Sequence, residues 1–228
     1  MATVRFRDSQ ESMSVGKILC LGRNYEEHAR EMKAEVPVHP VVFLKPATAL
    51  VHDGADVVIP EFSRDLHHEV EMVVVIGKRG RDIPAGSSYE HIAGYAVGLD
   101  MTLRDIQDQA KKKGLPWSVA KGFDTSAPVS PVVKRELIQD PHSLAISLKV
   151  NGQMRQQSNT GKMIFRVHDV ISYLSTVFTL EPGDLIFMGT PEGVGRVVPG
   201  DKLEADLEKV GTLRVGIVHS PGNASLTP

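Results

Sequence analysis

The sequence predicts a single, mostly β domain with a few helices, an α+β chain of 228 residues. Three observations carry this expectation. Short apolar runs bounded by Gly, Pro or Asn recur along the chain, at the lengths of strands. Only a few segments have helical composition with recognisable starts and stops. No linker, internal repeat or low-complexity stretch divides the chain, and its length suffices for one sizeable core.

Residues 1–14 read as a short polar tail carrying Arg5, Arg7, Asp8 and Glu11. Gly16 to Leu21 follows as a strand, and Cys20, inside this apolar run, reads as a small core residue. Asn24 is positioned as the N-cap of a helix reaching Ala34. Val41 to Leu44 and Val57 to Ile59 are extended runs bounded by prolines, and Leu66 to Ile76 reads as one long strand stopped by Gly77. Ala93 to Asp100 is another strand; Thr102 to Lys113 is helical and is stopped by Gly114 and Pro116, so Asp100 sits where strand gives way to helix. In the second half, Leu144 to Val150 and Gln153 to Gln157 flank an Asn151-Gly152 hairpin turn. A helix over Val167 to Phe178 precedes strands at Asp184 to Met188, Lys202 to Glu208 and Thr212 to His219. The domain is expected to span residues 15–219, with 220–228 a loose tail.

Composition narrows the function classes. A formal net charge of −2 argues against nucleic acid or an anionic membrane surface as the partner, because both call for a basic surplus, and favours a small molecule. The longest apolar stretches, such as Val70 to Gly77, fall far short of the roughly 20 residues that span a bilayer. The N-terminus has no apolar signal core, so a cytoplasmic location is expected. The Asn223-Ala224-Ser225 sequon is then a chance match. One cysteine cannot form an internal disulfide, which fits a reducing compartment.

The segment Leu66-His67-His68-Glu69-Val70-Glu71-Met72-Val73 carries the strongest chemical signal. Side chains alternate along a strand, so Glu69 and Glu71 point the same way and Val70 and Met72 the other. Two like charges on a partly buried face repel and are costly to desolvate. Either the face is solvated, or a cation neutralises it, and oxygen-only donors suit a hard ion such as Mg²⁺ or Mn²⁺.

Three further groups carry chemistry. His28 and Glu31 lie three apart on a helix, where a carboxylate can orient an imidazole as a general base or merely decorate a surface. Arg104 and Gln107 are also three apart and could hold a substrate carboxylate, while Lys121 could stabilise an oxyanion. Lys111 to Lys113 read as a solvated helix end and Trp117 as a packing residue. Gly189-Thr190-Pro191-Glu192-Gly193-Val194-Gly195 lacks the features of a P-loop or a dinucleotide fingerprint. It reads as a tight loop whose backbone N–H groups and Thr190 hydroxyl could meet an anion.

Taken in order, Gly22-Arg23-Asn24-Tyr25 with His28 and Glu31, Phe43-Leu44-Lys45-Pro46, His68-Glu69 with Glu71, Gly98-Leu99-Asp100 with Thr102, Arg104-Asp105 and Gln107, Lys113-Gly114 with Pro116-Trp117 and Lys121, and the 189–195 loop resemble the fumarylacetoacetate hydrolase family. The pattern is most similar to the family's short acylpyruvase, oxaloacetate decarboxylase and fumarylpyruvate hydrolase branch. The resemblance implies a mixed β-roll of the kind found in the family's C-terminal domain, a homodimer, and Mg²⁺ or Mn²⁺ held by Glu69, Glu71 and Asp100. It also implies catalytic roles for His28, Glu31 and Lys121, and substrate contacts at Arg104, Gln107 and Thr190. His67 and His68 receive no ligand role. The implied substrate is a small 2-oxo acid. The implied reaction is hydrolytic cleavage of the carbon–carbon bond of an acylpyruvate, of the acetylpyruvate or fumarylpyruvate type, through a pyruvate enolate. Oxaloacetate decarboxylation or tautomerisation is the alternative within this chemistry, and a non-catalytic metal- or oxo-acid-binding module the alternative outside it.

Overall fold

The computed structural model describes residues 2–220, so the sequon and all of the expected C-terminal tail but Ser220 lie outside the described residues. The strands form a mixed β-roll. Its largest sheet runs in the order Val41–Pro46, Lys17–Gly22, Leu185–Phe187, Val70–Ile76, Ile92–Leu99, Ala127–Val129, Leu50–His52, with Val133–Lys134 also pairing to Ile92–Leu99. A second sheet runs Gln153–Asn159, Ala145–Val150, Lys202–Leu207, Gly211–His219, Asp56–Ile59. Parallel pairs within otherwise antiparallel sheets make the roll mixed: Leu185–Phe187 on Lys17–Gly22, Ala127–Val129 on Leu50–His52, and Gly211–His219 on Asp56–Ile59.

Alternation along the strands sends side chains into two cores. Leu19, Met72, Val74 and Ile186 join the larger core with the inner face of the second sheet, while Ile18, Cys20, Val73 and Phe187 fill the smaller one. The helix Val167–Val177 buries Val167, Val170, Ile171 and Leu174, a stripe at helical spacing, against the larger core. Burial holds the Cys20 thiol well above its ordinary pKa, in keeping with a packing role. Asn151 and Gly152 have φ of 52° and 77°, the left-handed pair that a tight hairpin turn requires.

Three local expectations are corrected. The expected tail over 1–14 is, in its described residues 2–14, no tail: Thr3–Arg5 and Ser12–Ser14 pair as a hairpin, and Val4 and Phe6 are buried in the smaller core. The first helix is only Glu26–Glu31, and Asn24 does not cap it. The Asn24 amide instead donates to the Met188 and Phe165 carbonyls and accepts the Phe165 N–H at 2.7 Å, tying three chain segments together. Leu66 to Ile76 is not one strand. Leu66–His68 belongs to a separate three-stranded sheet with Thr102–Leu103 and Gly195–Val197, and Val70–Ile76 to the large sheet. The break falls at Glu69, because the next backbone N–H, that of Val70, donates to the Gln156 side chain.

Candidate active site

The break in the strand places the carboxylates. Glu69 sits at the junction of two sheets and Glu71 two residues on, inside the large sheet opposite Gly98. A Cβ at Gly98 would stand 2.7 Å from the Val73 side chain and 2.8 Å from Phe187, so a residue without a side chain lets these strands close beneath the site. Asp100 follows the end of Ile92–Leu99, where its N–H donates to the Glu69 carbonyl at 2.8 Å. One carboxylate oxygen from each of Glu69, Glu71 and Asp100 lies within 4.8 Å of the others, and all three residues are buried.

Cations surround two of the three. Lys121 Nζ donates to Glu69 Oε2 at 2.8 Å and to Asp100 Oδ2 at 2.6 Å, and Arg104 donates to Glu69 Oε1. Burial opposes ionisation of Glu69, but Lys121 and Arg104 outweigh it and hold the carboxyl well below the ordinary range. Lys45 is the residue that sequence reasoning missed. It is 1 % exposed, its ammonium lies 2.8 Å from Asp100 Oδ1, and it donates to the Met101 and Lys121 carbonyls. A lysine in the short run Phe43-Leu44-Lys45-Pro46 was visible as a motif member. Its burial depends on the strand turning Leu44 outward and Lys45 inward, the reverse of what polarity suggests.

Glu71 is different. Its Oε2 accepts the Gly189 N–H at 2.6 Å, and no lysine or arginine pairs with it among the described residues. Burial, and then the charges of Asp100 and Glu69, push its carboxyl well above the ordinary range. Gly189 has φ of 87°, and a Cβ there would lie 2.6 Å from that of Asn24, so glycine is required for this N–H to reach the carboxylate.

His28 Nδ1 lies 3.2 Å from Glu31 Oε2, with the imidazole buried and the carboxylate partly exposed. The Gly193 N–H donates to Glu31 at 3.1 Å. The 189–195 loop therefore does meet anions through its backbone, but they are the chain's own: Glu71 at one end and Glu31 at the other. Thr190 between them accepts from Gln156 Nε2 at 2.8 Å, and Gln156 Oε1 lies 3.1 Å from His68 Nδ1. Gln156 is a second residue that sequence reasoning missed, since a polar residue in an exposed hairpin strand gives no signal of its burial. His67 lies 3.1 Å from Asp65 and 3.5 Å from Arg104, so neither histidine touches the carboxylate group.

His28, Glu69, Glu71, Asp100, Lys121 and Thr190 line one cavity of about 240 Å³. Arg104, Gln107 and Lys111, one stripe of the helix Arg104–Lys113, line it too. Arg104 Nη1 donates to Gln107 Oε1 at 2.7 Å, so the guanidinium is engaged by Glu69 and Gln107, and the pair organises the wall before any ligand arrives. Two expectations shift here. Lys111 is not only a solvated helix end, and Trp117, tilted against Phe43, lines the cavity and does not merely pack.

The donor set fits a divalent ion. Three carboxylates converge, all donors are oxygen, and Glu71 is a buried carboxyl that no cation meets directly among the described residues. Binding must then displace a proton that Glu71 keeps to higher pH than an ordinary carboxyl does. Affinity for Mg²⁺ or Mn²⁺ is therefore expected to rise with pH, by up to about tenfold per unit while Glu71 titrates, and then to level off. Calorimetry in two buffers of different ionisation enthalpy checks this, with proton release expected on the rising part of the curve only.

Comparison with known proteins agrees with the geometry. The chain is 50% identical over 203 residues to the mitochondrial oxaloacetate tautomerase of Rattus norvegicus, covering 89% of this chain and 92% of that one. It is 49% identical over 191 residues to the Arabidopsis thaliana protein of the same name, covering 84% and 86%. The crystal structure of fumarylpyruvate hydrolase from Pseudomonas aeruginosa, in complex with Mn²⁺ and pyruvate, superposes with a TM-score of 0.92 at 41% identity, covering 96% of each chain. No helix among the described residues is long and apolar enough to cross a membrane. Residues 17–218 match the fumarylacetoacetate (FAA) hydrolase C-terminal family. With nearly the whole chain matched and the acidic triad in place, the protein belongs to the fumarylacetoacetate hydrolase family.

Proposed function

We infer that the protein is a divalent-metal-dependent enzyme that hydrolyses the carbon–carbon bond of acylpyruvates, giving pyruvate and a carboxylic acid. The observation that carries this reading is the His28–Glu31 pair lying in the same cavity as the Glu69, Glu71 and Asp100 triad. Glu69, Glu71 and Asp100 would hold Mg²⁺ or Mn²⁺, which supplies Lewis acidity at the 2-oxo acid end of the substrate. His28, oriented by Glu31, takes a proton from the water that attacks the distal carbonyl. Lys121, set between Glu69 and Asp100, supplies positive charge where negative charge develops, and Gln107 and Thr190 orient the substrate. Collapse breaks the carbon–carbon bond and releases pyruvate as its enolate, which then takes a proton. A Mn²⁺- and pyruvate-bound structural relative supports both the ion and the product.

A second reading is favoured by the names of the sequence relatives: oxaloacetate tautomerisation, which moves a proton between carbon and oxygen of the same oxo-acid unit. An assay panel separates them. With Mg²⁺ or Mn²⁺ present, acetylpyruvate and fumarylpyruvate are expected to release pyruvate, measured by coupling to lactate dehydrogenase, and EDTA is expected to abolish the signal. No pyruvate release, with fast interconversion of enol- and keto-oxaloacetate, would replace hydrolysis by tautomerisation. Inactivity on all three, with tight oxalate binding, would indicate a binding module. Cytoplasmic location and a homodimer belong to the same proposal; fractionation and light scattering test them.

A further inference from the structure

Gln156 is 1 % exposed, and its amide is saturated. Oε1 accepts the Val70 N–H at 3.0 Å and lies 3.1 Å from His68 Nδ1, while Nε2 lies 2.8 Å from Thr190 Oγ1 and 2.9 Å from the Pro191 carbonyl. An amide offers two donors on nitrogen and two lone pairs on oxygen, and all four are used. Two of the partners also fix which end is which. The Val70 N–H can only donate and the Pro191 carbonyl can only accept, so the amide cannot be turned over. Nε2 therefore donates to Thr190, and one lone pair of that hydroxyl is taken.

The consequence falls on the cavity. A hydroxyl that accepts from Nε2 cannot point its own proton at that nitrogen, and the Thr190 O–H meets no protein acceptor among the described residues. Thr190 is buried and lines the cavity with the carboxylate triad, so its proton is left for whatever binds there. The backbone delivers Gln156 to this point. In the hairpin the ladder passes from Leu148 opposite Gln156 to Lys149 opposite Met154, so Arg155 is an extra residue, and a bulge of this kind re-aims the side chains beside it. Gln156 is the one buried residue among the first five of its strand. Gly193 lets the loop close on the bulge, since a Cβ there would stand 2.3 Å from the Arg155 carbonyl.

We propose that Gln156 is a positioning residue which, by filling an acceptor site on Thr190, makes that hydroxyl an obligate hydrogen-bond donor to an anionic oxygen of the bound 2-oxo acid. This rests on the reading of the cavity as a 2-oxo acid site and adds how the site recognises an oxygen that has only lone pairs. A carboxylate or enolate oxygen can accept the proton, and the bond strengthens as negative charge gathers there. Left unrestrained, the hydroxyl could turn a lone pair to the same oxygen and repel it.

The test uses binding, so it does not depend on turnover. Protein saturated with Mn²⁺ is titrated calorimetrically with oxalate, a dianion whose oxygens only accept. Thr190→Val is expected to weaken oxalate at least about fivefold. Gln156→Glu keeps acceptors for Val70 and His68 but turns the contact with Thr190 round, so that the hydroxyl donates to the new carboxylate; it too is expected to weaken oxalate at least about fivefold. The combined variant separates positioning from general damage. An effect of Gln156 carried by Thr190 disappears once Thr190 is Val, so the double variant is expected to bind within about twofold of Thr190→Val alone. An effect carried through the strand break at Glu69 persists in that background, and losses that multiply overturn the proposal, as does a loss below about fivefold in either single variant. Should Gln156→Glu not fold, Gln156→Met carries the same cycle; failure of both, with Thr190→Val folded, would show that Gln156 serves the fold and would overturn the proposal. If the coupling holds but no acylpyruvate is cleaved, the donor stands and the hydrolase reading fails. If oxalate does not bind the wild type, both fail.

Discussion

In protein stripped of metal with EDTA, Glu71→Gln is expected to raise the melting temperature and Glu69→Gln to lower it, although both abolish tight binding of Mg²⁺ or Mn²⁺. The opposite signs follow from the partners. Glu69 is held by Lys121 and Arg104 and is ionised well below the ordinary range, so its charge stabilises the fold. Removing one member of a buried ion pair leaves the others uncompensated and costs about 3 kcal/mol, or about 6–12 °C for a chain of this size. Glu71 has no such partner among the described residues, and its carboxyl is raised by burial and by Asp100 and Glu69. A group whose folded pKa is raised stabilises below its unfolded pKa and loses that contribution as pH rises through the folded value. Glutamine has no charge to bury, so the gain from Glu71→Gln is small in acid and grows to about 1 kcal/mol or more as pH rises. The Glu69 contribution has the other sign: it is present above the ordinary carboxyl range and is lost as pH falls through the depressed value. Differential scanning calorimetry of both variants from mildly acidic to mildly alkaline pH measures each trend. Destabilisation by Glu71→Gln throughout that range would mean that the triad is held together by something other than the cations identified here.

The contrast between the two glutamates also shows where sequence reasoning reached its limit. Their proximity was legible, because two carboxylates two residues apart in an apolar run cannot both be comfortable in a sheet. Their inequality was not, since it depends on Lys121 and Arg104 arriving from other segments and on Glu71 receiving the Gly189 N–H instead of a cation. Most strands and the two longer helices were readable from apolar runs and from stop signals such as Gly114, which caps its helix with φ of 65°. Where the reading failed, long-range hydrogen bonds had overridden local pattern. Asn24 looks like a cap and serves as a clasp between segments, and the strand at Glu69 breaks because Gln156 takes the Val70 N–H. Lys45 and Gln156 are buried polar residues whose partners lie 55 and 34 residues away or more, and nothing in their immediate neighbours announces it. The N-terminal hairpin was lost for a similar reason, its two apolar anchors, Val4 and Phe6, being diluted among charges.

The second large effect expected is selective. Replacing His28 with Ala should lower acylpyruvate hydrolysis by about 10²–10⁴-fold, the usual worth of a positioned general base, while lowering oxaloacetate decarboxylation by less than about tenfold. Hydrolysis needs a water stripped of its proton as it attacks, whereas loss of carbon dioxide reaches the same pyruvate enolate with no attacking water. The geometry separates the two requirements. His28 and Glu31 belong to the helix Glu26–Glu31, and the carboxylate triad to the ends of sheet strands, so the base can be removed without disturbing Glu69, Glu71 or Asp100. The 189–193 segment ties them together, through Gly189 on Glu71 and Gly193 on Glu31. Glu31→Gln keeps an acceptor for Gly193 and removes the charge beside the imidazole, so it should reproduce part of the His28→Ala loss in hydrolysis and leave Mn²⁺ affinity within about twofold of wild type. Steady-state kinetics on both substrates, with Mn²⁺ affinity measured alongside, reads all of this at once. Equal losses of the two activities in His28→Ala, at unchanged metal affinity, would place the imidazole in a step common to both reactions, proton delivery to the enolate carbon, and would move the water-activating role to another group.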